Sequence, residues 1–180
     1  MSKAARVLLL LLFLILIYQS FYISNSYTSE TFREDEQMIR VGVGAYQDGF
    51  HDIAERQLSL FLQSFPNHVK VYDVLYLLGR IHFQKERWKE ARAAFLRIVQ
   101  ENKNFGTMDY TLFWMAQTEI KLGDFEAGRR WLLTLQSNYP GFEWIDYAYY
   151  LSGCIDFESR RLGAAGIRLK RSLSFQKEAT

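Results

Sequence analysis

Residues 76–99 read YLLGRIHFQKERWKEARAAFLRIV, and this stretch predicts two short amphipathic helices joined by a tight turn. On each side of the polar Lys85-Glu86-Arg87, apolar or small residues recur at three- and four-residue steps, the spacing of one helix face. The two sets are Leu75, Leu78, Gly79, His82 and Phe83, then Trp88, Ala91, Phe95, Ile98 and Val99. Gly79 and Ala91 are the small residues at which two helix backbones could approach closely. Such a pair cannot bury its apolar faces alone, so it predicts neighbours of the same kind.

Residue size repeats along the chain with a period of 37 residues. The columns with this period are Gly42, Gly79, Ala116 and Gly153; Ala54, Ala91, Gly128 and Ala165; Leu58, Phe95, Leu132 and Leu169; and Tyr46, Phe83, Ile120 and Phe157. Pro66 and Pro140 fall two periods apart, each directly after an aromatic residue, where a helix would end. An ordinary helical bundle needs no fixed period, so these columns indicate a repeat protein.

Each copy predicts two helices, and the chain is therefore expected to be all-α, a solenoid of about four helix-turn-helix repeats after an N-terminal hydrophobic helix. The expected helices are 32–47, 50–64, 69–84, 88–101, 108–122, 125–138, 143–158 and 162–175. A targeting segment is expected at 1–26, a linker at 27–31 and the repeat domain at 32–177, with approximate repeats 32–67, 68–104, 105–141 and 142–177. Thr31 and Glu34 are a capping-box pair for the first helix.

The third copy resembles the tetratricopeptide repeat in its order of small residue, large apolar residue, Gly-Asp-Phe turn, small residue, large apolar residue and proline. The residues are Ala116, Ile120, Gly123-Asp124-Phe125, Gly128, Leu132 and Pro140, and the resemblance covers about residues 34–177. Departures are His51 and Leu162 in place of an aromatic residue, Lys103 and Lys177 in place of the proline, and a unit longer than the common one of about 34 residues. The resemblance implies a protein-binding solenoid.

The longer unit, the phrases FLQSFPN and LQSNYPG, and the N-terminal leader resemble one subgroup of these proteins. They are similar to bacterial envelope repeat proteins of the BamD-like and Tol–Pal-associated type. That resemblance implies periplasmic scaffolding for outer-membrane assembly or envelope maintenance.

The first residues have the pattern of a targeting segment. Lys3 and Arg6 precede the apolar run Val7–Tyr18, and a second apolar group ends at Ile23. One interpretation is a cleaved signal peptide, with small residues near Ser26 at the cleavage site. The other is an uncleaved membrane anchor of about 17 residues, which the bulky side chains near that site favour. Either way, the repeat domain is expected on the extracytoplasmic side, anchored to the membrane or released into the periplasm.

Composition and motifs argue against an enzyme and against nucleic-acid binding. The chain has 22 Lys and Arg against 20 Asp and Glu, and removing Lys3 and Arg6 leaves 20 against 20. One cysteine, Cys154, excludes an intrachain disulfide and a Cys-based zinc site. The three histidines lack metal-ligand spacing, and no serine-nucleophile or phosphate-binding motif is present. We therefore expect no catalytic, cofactor-binding or metal-binding residues.

What the resemblance implies is a binding surface on the concave face, lined by the first helix of each copy. Carried over by position, the principal residues are Tyr76, Arg80, Phe83, Tyr110, Phe113, Gln117, Lys121, Tyr147 and Tyr150. Ile39, Val43, Tyr46, Asp73 and Cys154 are further candidates. Stacked aromatic rings beside Arg80 and Lys121 suit a peptide with an acidic side chain or carboxylate end. The alternative is that many of these rings pack between helices.

Two function classes follow from the sequence. The first is a membrane-attached adaptor that binds a peptide or protein partner of an envelope complex. The second is a structural spacer or self-association module, in which a homo-oligomer forms and the groove has no specific ligand. The C-terminal end adds six basic residues, Arg160, Arg161, Arg168, Lys170, Arg171 and Lys177, against Glu178. These are either a solvated cap on the last repeat or a contact with anionic lipid or an acidic partner.

Overall fold

The computed structural model describes residues 13–19, 34–158 and 166, all of which lie in helices or in the short connections between them. The helices are α1 (34–47), α2 (His51–Ser64), α3 (Val71–Gln84), α4 (Trp88–Glu101), α5 (Met108–Lys121), α6 (Phe125–Asn138) and α7 (Ile145–Glu158). Residues 13–19 and Gly166 are also helical. Thr31, most of the leader and nearly all of the predicted eighth helix lie outside the described residues.

The predicted period is confirmed by the helix boundaries. The first helices α3, α5 and α7 start at residues 71, 108 and 145, which are 37 residues apart, and the described part of α1 begins at residue 34. The second helices α2, α4 and α6 start at residues 51, 88 and 125 with the same step. At the helix ends that the structure describes, the predicted and observed positions differ by at most two residues. The all-α fold class is therefore confirmed.

The three helical hairpins that the structure describes close with the same turn. Gly49, Glu86 and Gly123, one period apart, have φ values of 80°, 58° and 81°, in the left-handed region. The next residue donates its backbone N–H to a carbonyl five residues back, as from Arg87 to His82 over 2.9 Å and from Asp124 to Glu119 over 2.9 Å. This pair of features is the Schellman motif, which satisfies the last carbonyls of a helix. Glu86 occupies a position that favours glycine, which explains why the sequence signal is weakest in that turn.

The chain divides into two compact units, residues 1–65 and residues 66–180. In the first unit, α1 packs against α2 through Gly42, where an added Cβ would lie 2.6 Å from Leu58 Cδ2. Ala54, Leu58 and Phe61 of α2 are fully buried. Ile39, Val43 and Tyr46, the groove candidates of the first copy, belong to this unit and are half-buried.

In the second unit, α3–α4, α4–α5, α5–α6 and α6–α7 are neighbouring pairs, and α3 also contacts α5. The small residue of the column that contains Gly79 lies against the large residue of the column that contains Phe95. A Cβ at Gly79 would lie 2.5 Å from Cε1 of Phe95, whose side chain is fully buried. The close approach predicted at Gly79 therefore admits an aromatic ring, not a second backbone. At Gly128, in contrast, a Cβ would lie 3.1 Å from the carbonyl oxygen of Ala116.

We expect Gly79→Ala to lower the free energy of unfolding by about 1–2 kcal/mol. Overpacking a core costs roughly 1–3 kcal/mol, and the better helix propensity of alanine offsets no more than about 1 kcal/mol of that. Urea denaturation of the full chain, followed by circular dichroism, measures the change. Gly44→Ala is the matched control, because no atom lies within 4 Å of a Cβ at that helical position. If both variants are stabilised equally, the steric role of Gly79 is contradicted.

The leader is described only in part. Residues 13–19 form a helical segment in which the side chains of residues 13–18 are all more than half exposed. In the described stretches of the chain, no helix combines the length and apolar character needed to cross a membrane. The rest of the predicted targeting segment lies outside the described residues.

Candidate protein-binding surface

The predicted groove residues of the second unit lie on its three first helices. Within α3, α5 and α7 the spacing of three, four or seven residues places most of them on one side of each helix. We call this surface the first-helix face; it comprises Tyr76, Arg80 and Phe83 of α3, Tyr110, Trp114, Gln117 and Lys121 of α5, and Tyr147 and Tyr150 of α7. Asp73 is exposed and forms an ion pair with Lys70 at 3.5 Å, and Cys154 is half-buried.

Arg80 is stacked on an indole ring. Its guanidinium carbon lies 4.0 Å from the centre of the Trp114 ring, which joins α3 to α5. Its Nη1 also donates to the Tyr76 hydroxyl over 3.3 Å, one turn earlier on α3. Among aromatic faces an indole attracts a cation best, and arginine is the cation most often found there. The stacking holds the charge of Arg80 at a defined place on the first-helix face.

Phe83 connects two tryptophans. Its ring centre lies 4.8 Å from that of Trp88 and 5.0 Å from that of Trp114, in edge-to-face contacts. Lys121 Nζ lies 5.8 Å from the centre of the Trp88 ring. The face therefore carries two cations, each over an indole. Within the described part of the chain, neither Arg80 nor Lys121 forms an ion pair with a carboxylate.

Two hydrogen-bond donors in this cluster lack an acceptor among the described residues. They are Nε of Arg80 and Nε1 of Trp114, both buried. A buried N–H group without an acceptor costs roughly 1–3 kcal/mol. An oxygen acceptor that reached either N–H group would therefore be stabilised by it. Carboxylates and backbone carbonyls supply such oxygens.

A second aromatic group joins α5 to α7. Tyr110 contacts Trp144 with ring centres 5.3 Å apart, and Phe113 contacts Tyr147 at 5.9 Å. Tyr147 and Tyr150 stack at 6.0 Å with an interplanar angle of 16°, and both are nearly half exposed. Phe113 is only 2% exposed. The structure therefore places Phe113 in the core, where it supports the face without forming part of its surface.

The Tyr110 hydroxyl donates to Glu143 Oε2 over 2.5 Å. This hydrogen bond, followed by burial and by the negative charge of Glu143, raises the pKa of Tyr110 from 10.0 to about 12. A raised tyrosine pKa means that the fold favours the neutral phenol. The stabilisation is therefore fully present below pH 10 and is lost as the pH rises through about 12.

We expect Glu143→Gln to return the pKa of Tyr110 towards its ordinary value, because the charged acceptor is removed. An NMR titration of ¹³C-tyrosine in the full chain measures it, and Tyr110→Phe assigns the signal. Glu90→Gln on α4 makes the same change of charge at an exposed position and should leave the titration unaltered. An unchanged pKa in Glu143→Gln would show that the hydrogen bond does not control this hydroxyl.

Sequence reasoning did not select Trp88, Trp114 or Trp144, which hold the first-helix face together. Trp114 directly follows Phe113, and the helical register could be read with either residue in the groove. Trp114 lies 37 residues after Leu77. Because leucine and tryptophan differ in type, the repeat pattern did not identify Trp114 as a surface residue. Gln117 and Lys121 are half-buried and exposed, respectively, on the side of α5 where they were expected.

No catalytic arrangement is apparent in the described stretches. Within residues 13–19, 34–158 and 166, no group of three or more His, Cys, Asp and Glu side chains is placed to hold a metal ion. The histidines lie near helix ends, where His68 accepts from the backbone N–H of Lys70 over 3.1 Å and His51 contacts Tyr46 at 5.8 Å. The aromatic rings and cations of the first-helix face can form non-covalent contacts with another molecule.

Comparison with known proteins identifies the repeat. The tetratricopeptide repeat family matches residues 72–105, which include α3 and α4. A solved structure of MamA has a TM-score of 0.70 and 17% identity, with 81% of this chain and 80% of that chain covered. A tetratricopeptide repeat protein from Parabacteroides merdae has a TM-score of 0.72 and 19% identity, with 81% of this chain and 54% of that chain covered. This chain thus spans about half the length of the Parabacteroides protein. No curated protein sequence matches this chain significantly.

These identities are low, so the structural likeness concerns the fold. The sequence match at residues 72–105 falls on the copy that contains the stretch 76–99. Among the described residues, the hairpins α1–α2 and α5–α6 repeat its helices and its turn at the same step. Residues 72–105 therefore match the tetratricopeptide repeat, and the chain has the helical-hairpin fold of tetratricopeptide-repeat proteins, a fold typical of scaffolds for protein–protein interaction.

Proposed function

We propose that this protein is a non-enzymatic scaffold that binds an acidic peptide or protein segment on its first-helix face. The observation that supports this most strongly is the pair of stacked cations, Arg80 over Trp114 and Lys121 over Trp88. Each cation lies over an aromatic ring and forms no ion pair with a carboxylate among the described residues. A partner's aspartate, glutamate or C-terminal carboxylate is the complementary group.

The aromatic rings around these cations supply the apolar part of the interface. Binding energy in protein interfaces is concentrated in tryptophan, tyrosine and arginine side chains. Tyr76, Tyr147 and Tyr150 present partly exposed rings that a partner's apolar side chains would cover. The N–H groups of Arg80 and Trp114 that lack an acceptor would each favour an oxygen from the partner. An extended segment with alternating acidic and apolar side chains fits this surface best.

We further propose that the scaffold acts at a bacterial membrane, on its extracytoplasmic side. The apolar run Val7–Tyr18 after Lys3 and Arg6 supports this orientation, and the exposed apolar side chains of helical residues 13–18 are consistent with it. The resemblance to envelope repeat proteins suggests outer-membrane assembly or envelope maintenance as the process. Reporter fusions at the C-terminus would contradict this location if they were active only inside the cell.

The scaffold proposal is tested by affinity capture from solubilised envelopes with mass spectrometry. The test variant is Arg80→Glu with Lys121→Glu, which reverses both stacked charges. The control is Arg56→Glu with Lys89→Glu, which makes the same charge change at exposed positions on α2 and α4. We expect the test variant to capture its partner at least about tenfold less well, since one lost hot spot costs 1–2 kcal/mol or more.

Capture of every partner by the test variant would overturn the proposal. Light scattering on the same samples addresses the structural alternative. If the wild-type chain self-associates, and does so equally after both charge reversals, a spacer or self-association module is favoured instead.

A further inference from the structure

A cavity of about 490 Å³ lies on the other side of the second unit, between α4, α5 and α6. Its walls include Leu96, Met115 and Trp131, and its charged groups include Arg92, Glu119 and Arg130. Glu119 is two residues from Gln117, a rotation of about 200° around α5. The cavity therefore opens on the side of α5 opposite the first-helix face and is a separate site.

Glu119 is the buried acceptor of this cavity. The residue is only 5% exposed, and its Oε2 atom has no hydrogen-bond donor among the described residues. The nearest cation is Arg92, whose Nη1 lies 3.6 Å away, too far for a good hydrogen bond. Burial raises the pKa of Glu119, and the charge of Arg92 opposes this shift only in part. The carboxylate thus lacks a short charged hydrogen bond that would offset its burial.

The remaining groups around the carboxylate define which ligand fits. Asp124 is occupied, because its Oδ1 accepts the backbone N–H of Ala127 over 2.9 Å and caps α6. Arg92 and Arg130 are exposed, so water screens their charges at the mouth of the cavity. Leu96, Met115 and Trp131 form apolar walls along which a chain of methylene groups can lie. The Trp131 ring can also attract a cation.

We propose that this cavity is a second binding site, which takes an ammonium group on an apolar stem from a partner protein, with Glu119 as its acceptor. An ionised carboxylate only accepts hydrogen bonds, so the ligand must be a donor. A cationic donor is preferred over a neutral one because the carboxylate lies in a low-dielectric setting. A lysine side chain and an N-terminal amine share this chemistry.

The test follows the methionine methyl groups of the full chain by NMR, with ¹³C in each ε-methyl group. Met115 lines the cavity, whereas Met108 on the same helix and Met38 on α1 are internal references. The probes are N-acetyl-lysine N-methylamide, N-acetyl-norleucine N-methylamide, which lacks the ammonium group, and leucine N-methylamide, which carries a free α-ammonium. We expect saturable shifts of Met115 with the lysine or the leucine probe, and at least about tenfold weaker binding of the norleucine probe.

The lysine and leucine probes distinguish a partner's side chain from its N-terminus. Glu119→Gln, which keeps the shape but removes the charge, should weaken the bound ammonium probe about tenfold. Glu90→Gln, on the exposed side of α4, should not. Equal binding of the norleucine probe, or no shift of Met115 with any probe, would overturn the proposal. The comparison of probes on the wild-type chain decides even if Glu119→Gln does not fold.

Discussion

Arg129→Met is expected to lower the free energy of unfolding by about 3–4 kcal/mol, the usual result of removing one partner from a buried ion pair. Nε of Arg129 on α6 donates to Oδ1 of Asp156 on α7 over 2.8 Å, and the Asp156 side chain is fully buried. Methionine fills much of the volume of the arginine side chain, so the loss of unfolding free energy measures the effect of the missing charge. Without the guanidinium, the fold must hold a buried carboxylate that has lost its charged hydrogen bond from Arg129.

Urea denaturation of the full chain measures this change, and Arg97→Met is its matched control. Arg97 and Glu101 form an ion pair at 3.0 Å whose side chains are both more than 40% exposed. Surface pairs contribute less than about 1 kcal/mol, so the control should be nearly neutral. The double variant Arg129→Met with Asp156→Leu should recover much of the stability, because it removes both charges. Equal losses in Arg129→Met and Arg97→Met would contradict the importance of burial.

The contact between α6 and α7 contains several buried polar groups. Besides the Arg129–Asp156 pair, the Gln136 amide donates to the Ala148 carbonyl over 3.1 Å and to the Ser152 hydroxyl over 2.9 Å. Buried polar groups of this kind must all be satisfied, and they then define one register between two helices. Apolar columns fix the other neighbouring pairs, as Phe95 against Gly79 does between α3 and α4.

The fold could be predicted because its restraints repeat. A glycine or alanine at a fixed step from a large residue, such as Gly79 and Phe95, appears in every copy. A helix whose limits are uncertain in one copy can therefore be placed from the equivalent residues of the others. Glycine at 49 and 123 identified two hairpin turns through the left-handed conformation that it permits. Helix boundaries follow from these two signals. Polar contacts such as Arg129 with Asp156 occur in one copy only, so no repetition revealed them.

The candidate surface could be predicted only in outline. The first-helix positions were expected from the family resemblance, and Arg80 and Lys121 carry ordered charges there. The helical rotation is about 100° per residue, so neighbouring positions such as Phe113 and Trp114 point in different directions. The family resemblance placed Phe113 in the groove and did not select Trp114. In the structure Phe113 is buried, and Trp114 carries the contact with Arg80.

The second large effect is expected for Trp114→Ala, which should lower the free energy of unfolding by about 3 kcal/mol. The Trp114 ring contacts Phe83 at 5.0 Å, Phe113 at 5.7 Å and Trp144 at 6.5 Å, so it connects α3 to α5 and to the start of α7. Alanine would leave these rings without their common neighbour. Phe125→Ala is the control, since that ring is 41% exposed and should cost less than about 1 kcal/mol.

Trp114→Phe separates the structural effect from the binding effect. Phenylalanine keeps an aromatic ring against Phe83 and Phe113, so we expect a stability loss of only about 1 kcal/mol. It also provides a weaker surface for the Arg80 guanidinium and removes the indole N–H. Under the proposed function, this variant should stay folded while it captures the acidic partner several-fold less well. A folded Trp114→Phe chain with undiminished capture would show that Trp114 supports the helices but does not position Arg80 for a ligand.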